Sequence, residues 1–165
     1  MTESSLLEMT AEVSVAFAGF IGIFLVLSAR DGRFPGSDAL VIRSIVINSV
    51  GPVFYAALPL ILHTMGVSGA ILWRISSVVV GLTAAVGAAF IVRQVQTVPV
   101  AERSPFLGLE SLTSLTFGAL MFLPHLGNAI AWPWAPSGGP YILAVWSVVA
   151  IAAISFMGLV FRKVL

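Results

Sequence analysis

Residues 69–93 read GAILWRISSVVVGLTAAVGAAFIVR, and this stretch decides the fold class. Its only charged residues are Arg74 and Arg93, which lie near its two ends. An α-helix needs ~20 consecutive, mostly apolar residues to cross the hydrocarbon core of a bilayer. The stretch therefore predicts a transmembrane helix.

Four further stretches meet the same criterion: residues 5–29, 38–64, 105–131 and 141–161. The segments between them carry glycine and proline, which interrupt helices. The sequence therefore predicts an all-α integral membrane protein, with residues 1–165 forming a single transmembrane domain, a five-helix bundle. The lipid bilayer is therefore an expected partner of the chain.

The composition of the whole chain supports this class. The chain is 59% hydrophobic and only 9% charged, with a mean hydropathy of +1.07, whereas soluble domains carry about 25% charged residues. A net charge of +1 gives no reason to expect nucleic acid as a partner. The absence of cysteine excludes disulfides, thiolate metal sites and thiol catalysis.

The distribution of Lys and Arg predicts the orientation of the helices. With five spans, the first joint, the third joint and the C-terminus share one side. That side and the adjoining helix ends hold all the basic residues except Arg74: Arg30, Arg33, Arg43, Arg93, Arg103, Arg162 and Lys163. Such an excess marks the cytoplasmic face. We therefore expect an outer N-terminus and a cytoplasmic C-terminus, in a bacterial-type cytoplasmic (inner) membrane. Trp73, Trp132, Trp134 and Tyr141 would form an aromatic belt at the outer interface.

The predicted fourth span carries its polar residues on one narrow stripe. At 100° per residue, Glu110, Ser114, His125 and Asn128 fall within about 60° of one another. Ionisable residues inside a membrane are costly, usually face the bundle interior, and are functional candidates.

The second span repeats this arrangement. Asn48, Pro52, Tyr55, Pro59 and His63 fall within about 80° of one another. Each proline also deprives the carbonyl four residues earlier, that of Asn48 or Tyr55, of its helical partner. We therefore predict a polar seam between spans two and four, which either lines a transport path or only satisfies its own polar groups. The path residues would be Asn48, Tyr55, Glu110, Ser114, His125 and Asn128.

A second group of ionisable residues is predicted at the outer end of the bundle: Glu8, Glu12, His63, Arg74 and His125. Carboxylates and imidazoles can bind a divalent metal, pass protons or, as paired histidines, ligate a haem. Structural interpretations compete, because Ser5 and Glu8 have the spacing of a capping box and Arg74 can neutralise Glu12. No short metal-ligand spacing occurs, so we predict no confident metal site and no cofactor.

These residues favour two functions. The first is a small homo-oligomeric channel or transporter for protons or a small ion. The second is a non-catalytic accessory subunit of a larger membrane complex. An enzyme is the less favoured class, because no P-loop, zinc-protease or nucleophile-elbow motif occurs.

Overall fold

The computed structural model describes the backbone of residues 2–29, 36–97, 99 and 107–164. Side chains are described over the same ranges except at 28–29, 36–38, 91, 95, 107–115, 117 and 162–164. The described chain is all-helical, and no strand occurs in it. Its five helices are α1 Glu3–Ala29, α2 Gly36–Thr64, α3 Gly69–Thr97, α4 Leu107–Ile130 and α5 Gly138–Val164.

The predicted spans match these helices closely, although most helices extend beyond the predicted bounds by a few residues. Within the described residues, α1, α2, α3 and α5 are each long and apolar enough to cross a membrane. Helix α4 is not one of those four. Most side chains in its first half lie outside the described residues.

Helix α1 begins earlier than the predicted capping box. Thr2 caps it, since the Thr2 hydroxyl accepts a hydrogen bond from the Ser5 backbone N–H at 3.3 Å. The Thr2 carbonyl also accepts from Leu6 N at 3.2 Å. The predicted capping box of Ser5 and Glu8 is therefore wrong, and Glu8 is an exposed residue inside the helix.

Helix α5 is the centre of the bundle and packs against all four other helices. Half of the residues in the most apolar 18-residue stretch of α5 are buried, against 17–28% of those in the corresponding stretches of α1, α2 and α3. Tyr141, Val145 and Val148 of α5 lie in a core cluster at one end of the bundle. Phe156 and Leu159 lie in a second cluster near the other end, where the rings of Phe17, Phe20 and Phe24 meet Phe156 edge-on at 5.0–6.0 Å between centroids.

The distribution of side chains between surface and interior is the reverse of that in a soluble protein. Large apolar side chains such as Phe20, Leu82 and Val86 are more than half exposed. Besides its apolar core, the interior contains a set of polar side chains: Thr10, Ser14, Ser49, Ser76, Ser77, His125, Asn128 and Ser147. Soluble monomers rarely expose apolar patches larger than a few hundred Å².

Successive helices run in alternating directions, which collects five helix ends on one side of the bundle. We call this side the outer end, after the orientation that the sequence predicts. It contains the starts of α1, α3 and α5 and the ends of α2 and α4. Contacts between these ends fix the arrangement: Glu3 of α1 bonds to Gly138 of α5, and Arg74 of α3 bonds to Ala129 of α4.

Candidate functional site

The described half of α4 contributes two fully buried polar residues, His125 and Asn128. Their exposed fractions are 1% and 0%. They lie one helical turn apart, as the sequence pattern predicts, and both face the interior between α3 and α5. They differ, however, in whether their polar atoms have hydrogen-bond partners.

Asn128 is the hub of a hydrogen-bonded network. Its Nδ2 donates to Ser77 Oγ of α3 at 3.2 Å and to the Ser137 carbonyl at 2.9 Å. Its Oδ1 accepts from Trp134 Nε1 at 3.2 Å and from Ser137 N at 3.3 Å. Both amide protons and the carbonyl oxygen are therefore in use, and Asn128 fastens the segment between α4 and α5 to the bundle.

The chain reverses sharply after α4 to make this network possible. Ala131 has a left-handed φ of 57°, and Trp132 N donates to the Gly127 carbonyl at 3.0 Å, which closes the helix end. Trp134 then lies directly on Gly127. A Cβ at position 127 would be only 2.5 Å from Trp134 Cζ2, so this close approach requires glycine.

His125, in contrast, is buried with no hydrogen bond to a described residue. Neither ring nitrogen has a partner among the described residues. The imidazole packs edge-on against the Tyr141 ring of α5, with centroids 5.1 Å apart. Gly81 of α3 also lies close to His125: a Cβ atom added to Gly81 would be 3.7 Å from the His125 Cβ. Buried polar groups are normally paired, and an exception in a native structure needs an explanation.

Tyr141 connects His125 to the proline-containing helix α2. Its hydroxyl donates to the Tyr55 carbonyl at 2.6 Å. This is the carbonyl that Pro59 leaves without a helical donor. Tyr141 is 0% exposed, so it is a core residue and not part of an interfacial belt. Trp73 is also buried, whereas Trp132 and Trp134 are exposed.

The structure changes the predicted seam between spans two and four. α2 packs against α1, α3 and α5, and α4 packs against α3 and α5, so α2 and α4 share no extensive interface among the described residues. Tyr141 lies between them instead. Of the predicted path residues on α2, Tyr55 is half-buried beside this contact, and Asn48 bonds within its own helix to Ser44 Oγ at 3.2 Å. The side chains of Glu110 and Ser114 lie outside the described residues.

The predicted outer group of ionisable residues is dispersed rather than clustered. Glu8 and Glu12 are exposed on α1, and His125 is buried in the core. Among the described residues no ion pair joins Arg74 to Glu12, and the Arg74 Nε donates instead to the Ala129 carbonyl at 3.2 Å. Within the part of the chain that is described, no group of three His, Asp or Glu residues is arranged to hold a metal ion.

His63 lies at a separate cavity of about 280 Å³ at the outer end. The starts of α1 and α3 and the end of α2 line this cavity, which also contains Glu3 and Trp73. Glu3 Oε1 accepts from Gly138 N at 3.1 Å, so the carboxylate lies at the N-terminus of α5, where a negative charge is favourable.

Three of these site residues could not be found from the sequence pattern. Ser77, Tyr141 and Glu3 gain their roles through contacts between helices that are far apart along the chain. The only signal for Tyr141 was the free carbonyl that Pro59 creates, which requires some donor but does not identify it.

Comparison with known proteins gives no functional information. No protein-family model matches the chain, and no curated protein or solved structure is significantly similar to it.

Proposed function

We propose that the chain is a five-pass membrane protein with its N-terminus outside and its C-terminus in the cytoplasm. The large apolar side chains exposed on the helices support this, because side chains that face outward at the depth of the hydrocarbon core meet lipid tails. The positive charges at the inner helix ends support the orientation.

We further propose that the protein transports protons, or a small ion, across this membrane. The observation that carries the proposal is His125: a titratable side chain, buried, with both ring nitrogens free of partners among the described residues. Every hydrogen-bonding atom of Asn128, one turn away, is satisfied. Ionisable side chains at membrane depth are functional candidates, and free ring nitrogens are the atoms at which a histidine binds and releases a proton.

On this proposal the path runs along α4, and its composition differs from the one predicted. His125 is the outer proton-binding group, and helical periodicity predicts Glu110 and Ser114 on the same stripe of α4, towards the cytoplasm. Asn128 is an anchor for the segment that follows α4. One copy of the chain encloses little volume, so we propose that a homo-oligomer completes the path.

Proton flux into proteoliposomes containing a pH-sensitive dye tests this function. The wild-type protein should dissipate an imposed pH gradient, and His125→Gln should abolish that flux while leaving the helical content and thermal stability unchanged. His63→Gln is the matched control, because His63 is exposed at the outer end and should be dispensable.

The competing function is that of an accessory subunit in a larger membrane complex. It is favoured by much of the interior outside His125, where Asn128, Tyr141, Ser14 and Ser147 bond within the bundle. The buried Ser76 Oγ shares with His125 the lack of a partner among the described residues. Wild-type flux no faster than that of empty liposomes would contradict proton transport and favour the accessory role.

A further inference from the structure

A groove of about 360 Å³ lies on the outer surface of the bundle, between α3 and the end of α4. We call it the Arg74 groove. Ile71, Arg74, Ile75 and Val78 line it from α3, and Ala129 lines it from α4. Positions 71, 74, 75 and 78 share one face of a helix, and they span about 10 Å along its axis at 1.5 Å per residue. The wall is thus a continuous aliphatic surface that contains one cation.

Arg74 is held in position but retains most of its donors. Its Nε bonds to the Ala129 carbonyl, one of the last carbonyls of α4, where a positive charge is also favoured by the helix dipole. A guanidinium has five N–H donors, so its two terminal nitrogens remain available. Arg74 is exposed, and it forms no ion pair among the described residues.

We infer that the Arg74 groove binds one phospholipid of the outer leaflet. The two terminal nitrogens of Arg74 match a phosphate in the bidentate geometry that guanidinium groups favour. An acyl chain of the same lipid lies against Ile75 and Val78, whose side chains are about 40% exposed. No other partner at this depth combines a phosphate with a long aliphatic chain. The inference rests on the proposed membrane-spanning orientation, but not on proton transport.

Native mass spectrometry of the detergent-solubilised full chain tests the inference, with phosphatidylglycerol as the probe. The wild-type protein should bind one phosphatidylglycerol more tightly than any further copies. Arg74→Gln should weaken that first binding by about tenfold, the size expected when one charge-assisted contact is lost. Glutamine can still donate to the Ala129 carbonyl, so the variant should fold, and Arg74→Lys should restore part of the affinity.

Two comparisons identify the chemistry of the ligand. Diacylglycerol, with the same chains and no phosphate, should not occupy the tight site, and inorganic phosphate should not displace the lipid. Arg93→Gln is the matched control, since Arg93 is exposed near the other end of α3 and lies outside the groove. Equal weakening by Arg74→Gln and Arg93→Gln, or tight binding of diacylglycerol, would overturn the inference. Because binding is measured without any transport assay, its outcome is independent of the flux experiment.

Discussion

At the scale of single residues, the difference between Asn128 and His125 organises the site. The two side chains have the same burial and the same helical face, yet one makes four hydrogen bonds and the other makes none among the described residues. In a low-dielectric interior, a satisfied network rigidifies the structure, whereas an unpaired polar group is costly. Burying His125 costs free energy that no hydrogen bond to a described residue offsets, so we assign a functional role to His125 and a structural role to Asn128.

Replacing Asn128 with leucine should therefore destabilise the protein. The change leaves Ser77, Trp134 and Ser137 without their common partner. At the ~0.6 kcal/mol averaged for hydrogen bonds in membrane proteins, the loss of four bonds amounts to about 2 kcal/mol. Reversible unfolding in mixed micelles measures the free energy of unfolding.

Asn48→Leu is the control for that experiment, because Asn48 is half-buried and has one hydrogen bond to a described residue, Ser44 of its own helix. It should cost less than about 1 kcal/mol. If Asn128→Leu were as stable as Asn48→Leu, the network around Asn128 would contribute nothing to holding the segment between α4 and α5.

The sequence located these residues but did not predict their bonding. Helical periodicity placed His125 and Asn128 on one face of α4, and both are buried. Periodicity describes one helix at a time, however, whereas the partners of Asn128 come from α3 and from the segment after α4. The same limitation explains why Glu8, Glu12, His63, Arg74 and His125, all predicted to lie near one end, do not form one cluster.

At the scale of helices, α5 supplies a hydrogen bond that the backbone of α2 lacks. Pro59 removes a donor from α2, and Tyr141 of α5 supplies one at 2.6 Å. Unpaired carbonyls at membrane depth are tolerated where protein or water satisfies them, and here a neighbouring side chain does so. The contact also places the Tyr141 ring against His125, so the proline in α2 indirectly sets one wall of the His125 site.

A double-mutant cycle tests this dependence. Tyr141→Phe keeps the ring but removes the donor, and it should lower the free energy of unfolding by about 1 kcal/mol. Pro59→Ala restores a backbone N–H that can bond to the Tyr55 carbonyl within α2. Tyr141→Phe should therefore cost less in the Pro59→Ala background, and unfolding of all four proteins measures the coupling.

Ser147→Ala serves as the control in the same two backgrounds. Ser147 is on α5 too, but its hydroxyl bonds to Leu143 O of its own helix. Its effect should be the same with and without Pro59. Equal costs of Tyr141→Phe in both backgrounds would show that the hydroxyl does not compensate for the proline.

At the scale of the whole molecule, the sequence predicted the number of helices and their bounds, but not their arrangement. Length and hydropathy identify helices well, because an apolar run of this length has few alternatives. They do not identify the central helix, since side chains that face lipid and side chains that face α5 are equally apolar. Contacts of Tyr141, Phe156 and Leu159 place α5 at the centre, whereas in composition α5 is only slightly more apolar than α1 and α3.

The arrangement also determines how the proposed orientation can be tested. Glu3 with Gly138, and Arg74 with Ala129, bring the starts of α1, α3 and α5 to the end of the bundle where α4 also finishes. Ser4 and Ala135 are exposed at this outer end, and Thr97 is exposed at the opposite end of α3. The chain has no cysteine, so a single cysteine at any of these positions is the only thiol in the protein.

Labelling of single-cysteine variants in intact cells should follow that division. A membrane-impermeant thiol reagent should modify Ser4→Cys and Ala135→Cys from outside, because the proposed orientation places the outer end in water beyond the membrane. Thr97→Cys should react only after the cells are permeabilised, which controls for its intrinsic reactivity. Labelling of Thr97→Cys alone in intact cells would show that the orientation is the reverse of the proposed one. The uneven distribution of Lys and Arg would then need another explanation. Labelling at both ends in the same cells would mean that the protein inserts in two orientations, which the strong bias of basic residues to one end argues against.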